Sequence, residues 1–479
     1  MVNSSFNSQK LIFILFFFTF LKFLFFVKFF TLNQESVFVY LAESFSEFNL
    51  VNINDFFYVQ ANSIFFSLIS FFINKITSID NLVIMRFLSS LGFCMIIFLI
   101  QSILIKEKLI NKSFIYTILF FCPLFFIFSI RALPDIFALG IGCLATYFFC
   151  YSKVNYKYFY SLFFISLSIL LKIFNGYLLV FMLYIKFKNN PIEVFKTKNI
   201  IFFISSLIPT IIYNLWVYIN FDFLLIDPNH ISLVKSSIFD FFSIFYTYIF
   251  FFLIFGSLLY LKVIFEIIFS LKFQIISIVI FAIAYIFQIN FLNFSGELSF
   301  GFMDSYLRSD ILFYVSLYLV ILHFFLIKNN LDKIDLKLLI IILFYLAILS
   351  FFRPSQRYLI LIFPFYILLM NKLYYFSLFL NFLAIFFTFT MALLFSLSAK
   401  ATSDHNYKIE SFIFSNDRAC IEPGYLTPHF IFKDYYAHKG YKCEKIYKAY
   451  SYKIDNNAIN IDSKIFFFKR DSYLYLVFD

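Results

Sequence analysis

From residue 11 to residue 398 the chain alternates long apolar runs with short polar breaks. Such runs read as helices that cross a membrane, where about 20 apolar residues cover the hydrocarbon. With Lys10 on the inner side, about thirteen spans are predicted, near 11–31, 82–105, 114–130, 134–151, 159–172, 174–187, 199–219, 241–261, 274–291, 311–327, 338–352, 358–371 and 374–398. The two short runs that meet at Lys172 are counted separately, because merging them would turn the lysine-rich loops 186–198 and 328–337 outward. In the first outer loop the apolar stretch Ile64–Ile73 is too short to cross and is expected to lie along the interface. After residue 398 the pattern changes to one rich in Lys, Asp, Asn and Tyr. There Lys433–Ala449 reads as partly helical, and Lys464–Phe478 as two alternating strands joined around Arg470, Asp471 and Ser472. The predicted fold class is an all-α polytopic membrane protein of about thirteen transmembrane helices, with juxtamembrane helices in the first outer loop and a small C-terminal soluble α+β appendage. Residues 1–398 form the predicted transmembrane domain and 399–479 an outer-face C-terminal domain.

Composition excludes a soluble globular protein: 83 of the 479 residues are Phe, and the mean hydropathy is +0.89. The net charge of +11 does not point to nucleic acid, because lysines collect at the N-terminus and in the inner loops, as the positive-inside bias requires. Arginine is sorted the opposite way. All seven arginines fall on the outer side or in the tail, and none in an inner loop. A planar guanidinium grips phosphate or carboxylate bidentately where lysine cannot, so the outer face is where chemistry is expected. The first apolar run is long and lacks a small-residue cleavage pattern, so it reads as a retained anchor. The expected location is a plasma (inner) membrane, with the active site and C-terminus on the outer face. Cys94, Cys122, Cys143 and Cys150 lie in apolar runs and read as packing residues, whereas Cys420 and Cys443 in the polar tail are a disulfide candidate.

Candidate chemistry gathers at the outer breaks. Glu35 follows the first run directly, in Asn33-Gln34-Glu35-Ser36, and Tyr58 comes later in the same loop. A carboxylate at the boundary meets the head group of a lipid-linked substrate and can deprotonate an incoming hydroxyl; the plain alternative is an interfacial Glu without a role. The second outer turn, Ser129-Ile130-Arg131-Ala132-Leu133-Pro134-Asp135, sets an Arg and an Asp between two apolar runs. Either the two pair with each other, or Arg131 meets a substrate phosphate and Asp135 a sugar hydroxyl. Late in the chain, Phe352-Arg353-Pro354-Ser355-Gln356-Arg357-Tyr358 offers two arginines as a phosphate clamp, against simple snorkelling to lipid head groups. Lys172 and Arg308 fall on the same face, and Gln34, Tyr58, Glu297 and Tyr358 are the polar groups expected to line a substrate pocket. The five histidines are scattered, so no histidine metal site is predicted. An oxygen-ligated Mg²⁺ or Mn²⁺ would have Glu35, Asp135 and Glu297 to draw on.

At these positions the chain resembles the membrane-embedded glycosyltransferases of the GT-C superfamily, which use polyprenyl-phosphate or polyprenyl-diphosphate sugars. Gln34-Glu35 with Phe38 and Leu41-Ala42 is similar to that family's Asp-Glu pair after the first span, with Gln34 where the first acid usually stands. Arg131 to Leu139 resembles the corresponding turn of the mannosyltransferase branch, Lys172 the lysine that ends the fifth span, and Arg357-Tyr358 with Pro364 the late Arg-Tyr and Pro pattern. The resemblance covers most of residues 30–370. It implies transfer of a sugar, outside the membrane and with inversion, from a polyprenyl-phosphate donor to a glycan, lipid or protein acceptor. Glu35 is then the base, with Asp135 as the second catalytic carboxylate, and Arg131, Lys172, Arg308, Arg353 and Arg357 bind the lipid phosphate. Two rival classes remain open: an envelope polysaccharide polymerase or ligase, and a transporter or flippase without covalent chemistry.

Overall fold

The computed structural model describes residues 2–29, 35–45, 63–106, 122–221, 238–292, 309–351, 356–370, 373, 378–415, 419–422, 445–450, 458–465 and 468–477. Gln34, Tyr58, Glu297, Arg308 and Arg353, the first part of the run 114–130 up to residue 121, and the Cys420–Cys443 pairing lie outside the described residues. Within them the chain is mostly helical, and the helix Thr197–Phe221 shows what solvent it is built for. Its isoleucines Ile200, Ile204, Ile211 and Ile219 are exposed, while Ser206, Thr210 and Asn214 are buried. Water would reverse that distribution; hydrocarbon favours it.

Among the described residues four helices are long and apolar enough to cross a membrane: Asn81–Ile103, Thr197–Ile219, Ile311–Asn329 and Phe379–Ile409. A fifth span results if Leu261–Ile268 and Leu271–Ile286, bent by 77° at their junction, are one crossing. Seven shorter apolar helices of 10–17 residues accompany them. The run near Lys172 is divided as expected. Lys157–Leu171 and Tyr177–Asn189 are separate helices, joined through an extended Lys172 and the short 3-10 turn Ile173–Gly176, where Asn175 and Gly176 are poor helix formers. Ser63–Thr77 forms the expected helix in the first loop and packs on Glu35–Ser44, with Ser67 Oγ donating to the Phe38 carbonyl at 2.9 Å.

The chain clusters into two compact units: residues 1–16, 93–126 and 138–391 in one, and 17–92, 127–137 and 392–479 in the other. Leu378–Ser415 is one helix of 38 residues, so residue 398 falls inside it. Hydropathy drops there, but no Gly or Pro interrupts the backbone, and a Lys400–Asp404 pair at 2.6 Å supports the turn that follows. Beyond it β1 (Ala419–Glu422), β2 (Lys445–Tyr450), β3 (Ile459–Ile465) and β4 (Phe468–Val477) form a sheet of order β1-β2-β4-β3. β1 and β2 are parallel; the other two pairings are antiparallel. The hairpin also differs from expectation. Ser463 faces Arg470 and Ile465 faces Phe468, so the pairing of the two strands closes at Ile465 and Phe468, and Arg470-Asp471-Ser472 lies within β4. Lys445–Ala449, read as helical, is strand: Tyr447 and Leu474 supply the buried face, which a register of period 2 satisfies.

One capping interaction ties a polar break to the bundle. Asp335 precedes the helix Leu336–Ser350 and accepts from the Lys337 and Leu338 amides at 3.1 and 3.3 Å, and the Tyr184 hydroxyl donates to its other oxygen. Partial burial alone would push its pKa up, but these donors and the charge of Lys188 outweigh that and lower it. A lowered folded-state pKa means stability that is present above the unfolded carboxylate value of about 3.9 and lost as pH falls through the folded value. Asp335→Ala is expected to cost about 1 kcal/mol at neutral pH, and that difference shrinks in acid, as thermal unfolding of the two proteins across pH would read.

Candidate functional site

The buried centre of the second unit is an ion pair. Glu35 opens the helix Glu35–Ser44, and Arg86 sits one turn into Asn81–Lys106. Arg86 Nη2 donates to Glu35 Oε2 at 2.7 Å and Nε to Oε1 at 3.4 Å, with the two side chains 1% and 0% exposed. Arg86 Nη1 also donates to the carbonyls of Phe26 and Phe29 at 2.8 and 2.6 Å. Those carbonyls lie at and just beyond the end of the helix Val2–Phe26, where backbone acceptors have no partner in the helix and the dipole is negative. The guanidinium thus joins the end of one helix to the start of the next.

Glu35 reaches further. Its Oε1 accepts the Ala132 amide at 2.7 Å, in the turn that carries Arg131 and Asp135. Three more buried bonds hold this turn: Ser90 Oγ to the Ser129 carbonyl at 2.9 Å, Ser89 Oγ to the Leu133 carbonyl at 3.0 Å, and Lys22 Nζ to Ser129 Oγ at 2.5 Å. Pro134 then starts the helix Pro134–Cys150 at the position where a missing N–H does no harm, and Asp135 falls in its first turn, where the dipole favours a negative charge. Arg131 is partly exposed, its guanidinium carbon 5.9 Å from the Phe128 ring centroid, and Asp135 is 8% exposed.

Close approach makes these bonds geometrically attainable. A Cβ at Gly92 would stand 2.5 Å from the Ile136 carbonyl oxygen and 2.5 Å from Phe137 Cα, both backbone atoms that cannot swing aside. Ser89, Ser90 and Gly92 form the small face on which the turn rests. Gly92→Ala is expected to force the two backbones apart and to destabilise the protein by about 1–3 kcal/mol, read as a lower unfolding temperature in detergent.

The other unit gathers a second group of predicted residues. Lys172 and Arg357 are each 6% exposed, and both approach Tyr358: Lys172 Nζ lies 5.1 Å and Arg357 Cζ 5.6 Å from its ring centroid. The ring packs on Phe174 at 4.8 Å, and the Tyr345 hydroxyl donates to the Tyr358 carbonyl at 3.3 Å. Lys172 owes its position to the break before Ile173–Gly176. Its own amide caps the preceding helix at the Ser168 carbonyl, and Asn175 Nδ2 donates to Ser168 Oγ at 3.0 Å. No family model, curated protein or solved structure matches this chain.

Two features escaped the sequence. Arg86 enters the sequence reading only as one of seven sorted arginines, although an arginine in an apolar helix is itself the signal that a partner is needed. His323, grouped with scattered histidines, belongs to a buried chain: Nδ1 donates to the Leu319 carbonyl at 2.7 Å, which leaves Nε2 to accept from the Tyr260 hydroxyl, and Tyr260 also meets the Tyr366 hydroxyl. Among the described residues no three His, Cys, Asp or Glu side chains come together as a metal ion would require, and Cys122, Cys143 and Cys150 are free thiols.

Proposed function

We propose that this chain is a membrane glycosyltransferase that takes its sugar from a polyprenyl-phosphate donor and works at the outer face of a plasma membrane, with about thirteen spans in all. The observation that carries this reading is the pairing of Lys172 and Arg357 around Tyr358, two buried cations at a break between apolar helices. In the reaction, a carboxylate removes the proton of the acceptor hydroxyl, whose oxygen attacks the anomeric carbon. The bond from that carbon to the phosphate oxygen breaks, and the electron pair leaves with the polyprenyl phosphate. Lys172 and Arg357 stabilise the charge that develops there. Glu35 becomes a positioning residue, because both its oxygens are already engaged by Arg86 and Ala132. Purified chain incubated with a polyprenyl-phosphate sugar and its membrane acceptors should release polyprenyl phosphate and label an acceptor. Unchanged donor under every acceptor supplied would count against the reading.

The bent pair Leu261–Ile268 and Leu271–Ile286 and the buried His323 chain favour a second reading, a lipid or sugar transporter, in which broken helices and buried polar groups line a path. Movement of labelled lipid-linked sugar across proteoliposomes without any covalent product would select it.

A further inference from the structure

One face of the helix Ser309–Asn329 lines two cavities of opposite character. At its C-terminal end a half-open cavity of about 390 Å³ is walled by Lys262, Glu266 and Ser270 from across the bend, and by Asn329, Asn330 and Lys333. Towards its N-terminal end an apolar groove of about 380 Å³ runs between Phe281 and Ile311, Tyr314, Val315 and Tyr318. Steps of three and four residues connect Ile311, Val315, Tyr318, Leu322, Phe325 and Asn329, so both cavities lie along one stripe. Phe273, fully buried, forms the ridge between them, with ring centroids 5.0 Å from Tyr318 and 5.6 Å from Phe325.

We propose that this stripe binds one anionic phospholipid, with its phosphate between Lys262 and Lys333 and an acyl chain in the groove. The spacing suits the ligand: Val315 to Phe325 is about 15 Å of helix, half of a hydrocarbon layer of about 30 Å. Charge sets the headgroup class. Two lysines against the single Glu266 leave the pocket net positive, and Asn330, which holds Lys333 Nζ through its Oδ1 at 3.3 Å, aims one of the cations. The site lies away from Lys172 and Arg357 in sequence and needs no sugar transfer, so it stands or falls independently of that reading.

The test is native mass spectrometry of the full chain released from nanodiscs of phosphatidylglycerol or of phosphatidylcholine. Wild-type protein should retain phosphatidylglycerol and not phosphatidylcholine. Lys262→Ala with Lys333→Ala should lower retention at least about tenfold, while its unfolding temperature shows that the fold persists. Glu266→Gln should raise retention. Val315→Trp, which fills the groove, should lower lipid retention without altering competition by inorganic phosphate; lipid retention unchanged by Val315→Trp would assign the pocket to free phosphate and overturn the acyl-chain placement. Equal retention by wild type and the double lysine variant, or weaker retention after Glu266→Gln, overturns the proposal.

Discussion

Glu35→Ala is expected to lower the stability of the folded chain by about 3–5 kcal/mol, because it leaves the Arg86 guanidinium buried without its counter-charge and the Ala132 amide without its acceptor. The folded fraction, followed by size-exclusion in detergent and by thermal unfolding, should fall accordingly. A paired replacement, Glu35→Leu with Arg86→Met, removes both charges and should recover much of the loss, since the penalty comes from the unmatched partner. That double variant also separates two roles for Glu35. If it folds and still transfers sugar, Glu35 positions the turn and the base lies elsewhere; if it folds and transfer is abolished, Glu35 is the base after all. A Glu35→Ala protein as stable as wild type would remove the ion pair from the centre of the unit.

Lys172→Ala and Arg357→Ala are each expected to lower kcat/KM for a polyprenyl-phosphate sugar by about 10²-fold or more, the usual loss when one donor to a developing negative charge is removed. Arg357→Lys should restore only part of it, since a point charge replaces a planar fork. Folding is a separate matter. A cation over a tyrosine ring is worth about 0.5–2 kcal/mol, so the alanine variants should still fold and the kinetic effect should stand out. Tyr358→Phe keeps the ring beside both cations and should retain most activity; if it is as inactive as Arg357→Ala, the hydroxyl itself takes part. Wild-type turnover in both cation variants would remove the phosphate assignment.

Much of the fold was legible residue by residue. Apolar runs marked the Asn81–Lys106 and Thr197–Phe221 helices closely, and the pause at Lys172 appeared as a true helix break. Where the pattern failed, the cause was a quantity that hydropathy does not measure. The helix Leu378–Ser415 ran through residue 398 because backbone propensity persists after the side chains turn polar. The hairpin pairing closed at Ile465 and Phe468 and not around Arg470–Ser472, because strand pairing rather than local polarity set its register.

The sequence by itself determined that this is a helical chain built for an apolar solvent, that its scarce arginines are sorted, and that Glu35, Arg131, Asp135, Lys172, Arg357 and Tyr358 deserve testing. Only the tertiary structure decided which of them meet. Glu35 stands 51 positions from Arg86 and 97 from Ala132, separations across which no periodicity carries information. Burial made that choice. An arginine enclosed among apolar helices must find a carboxylate and carbonyls to remain charged, and the close backbone contact at Gly92 helps bring the turn within reach of that carboxylate.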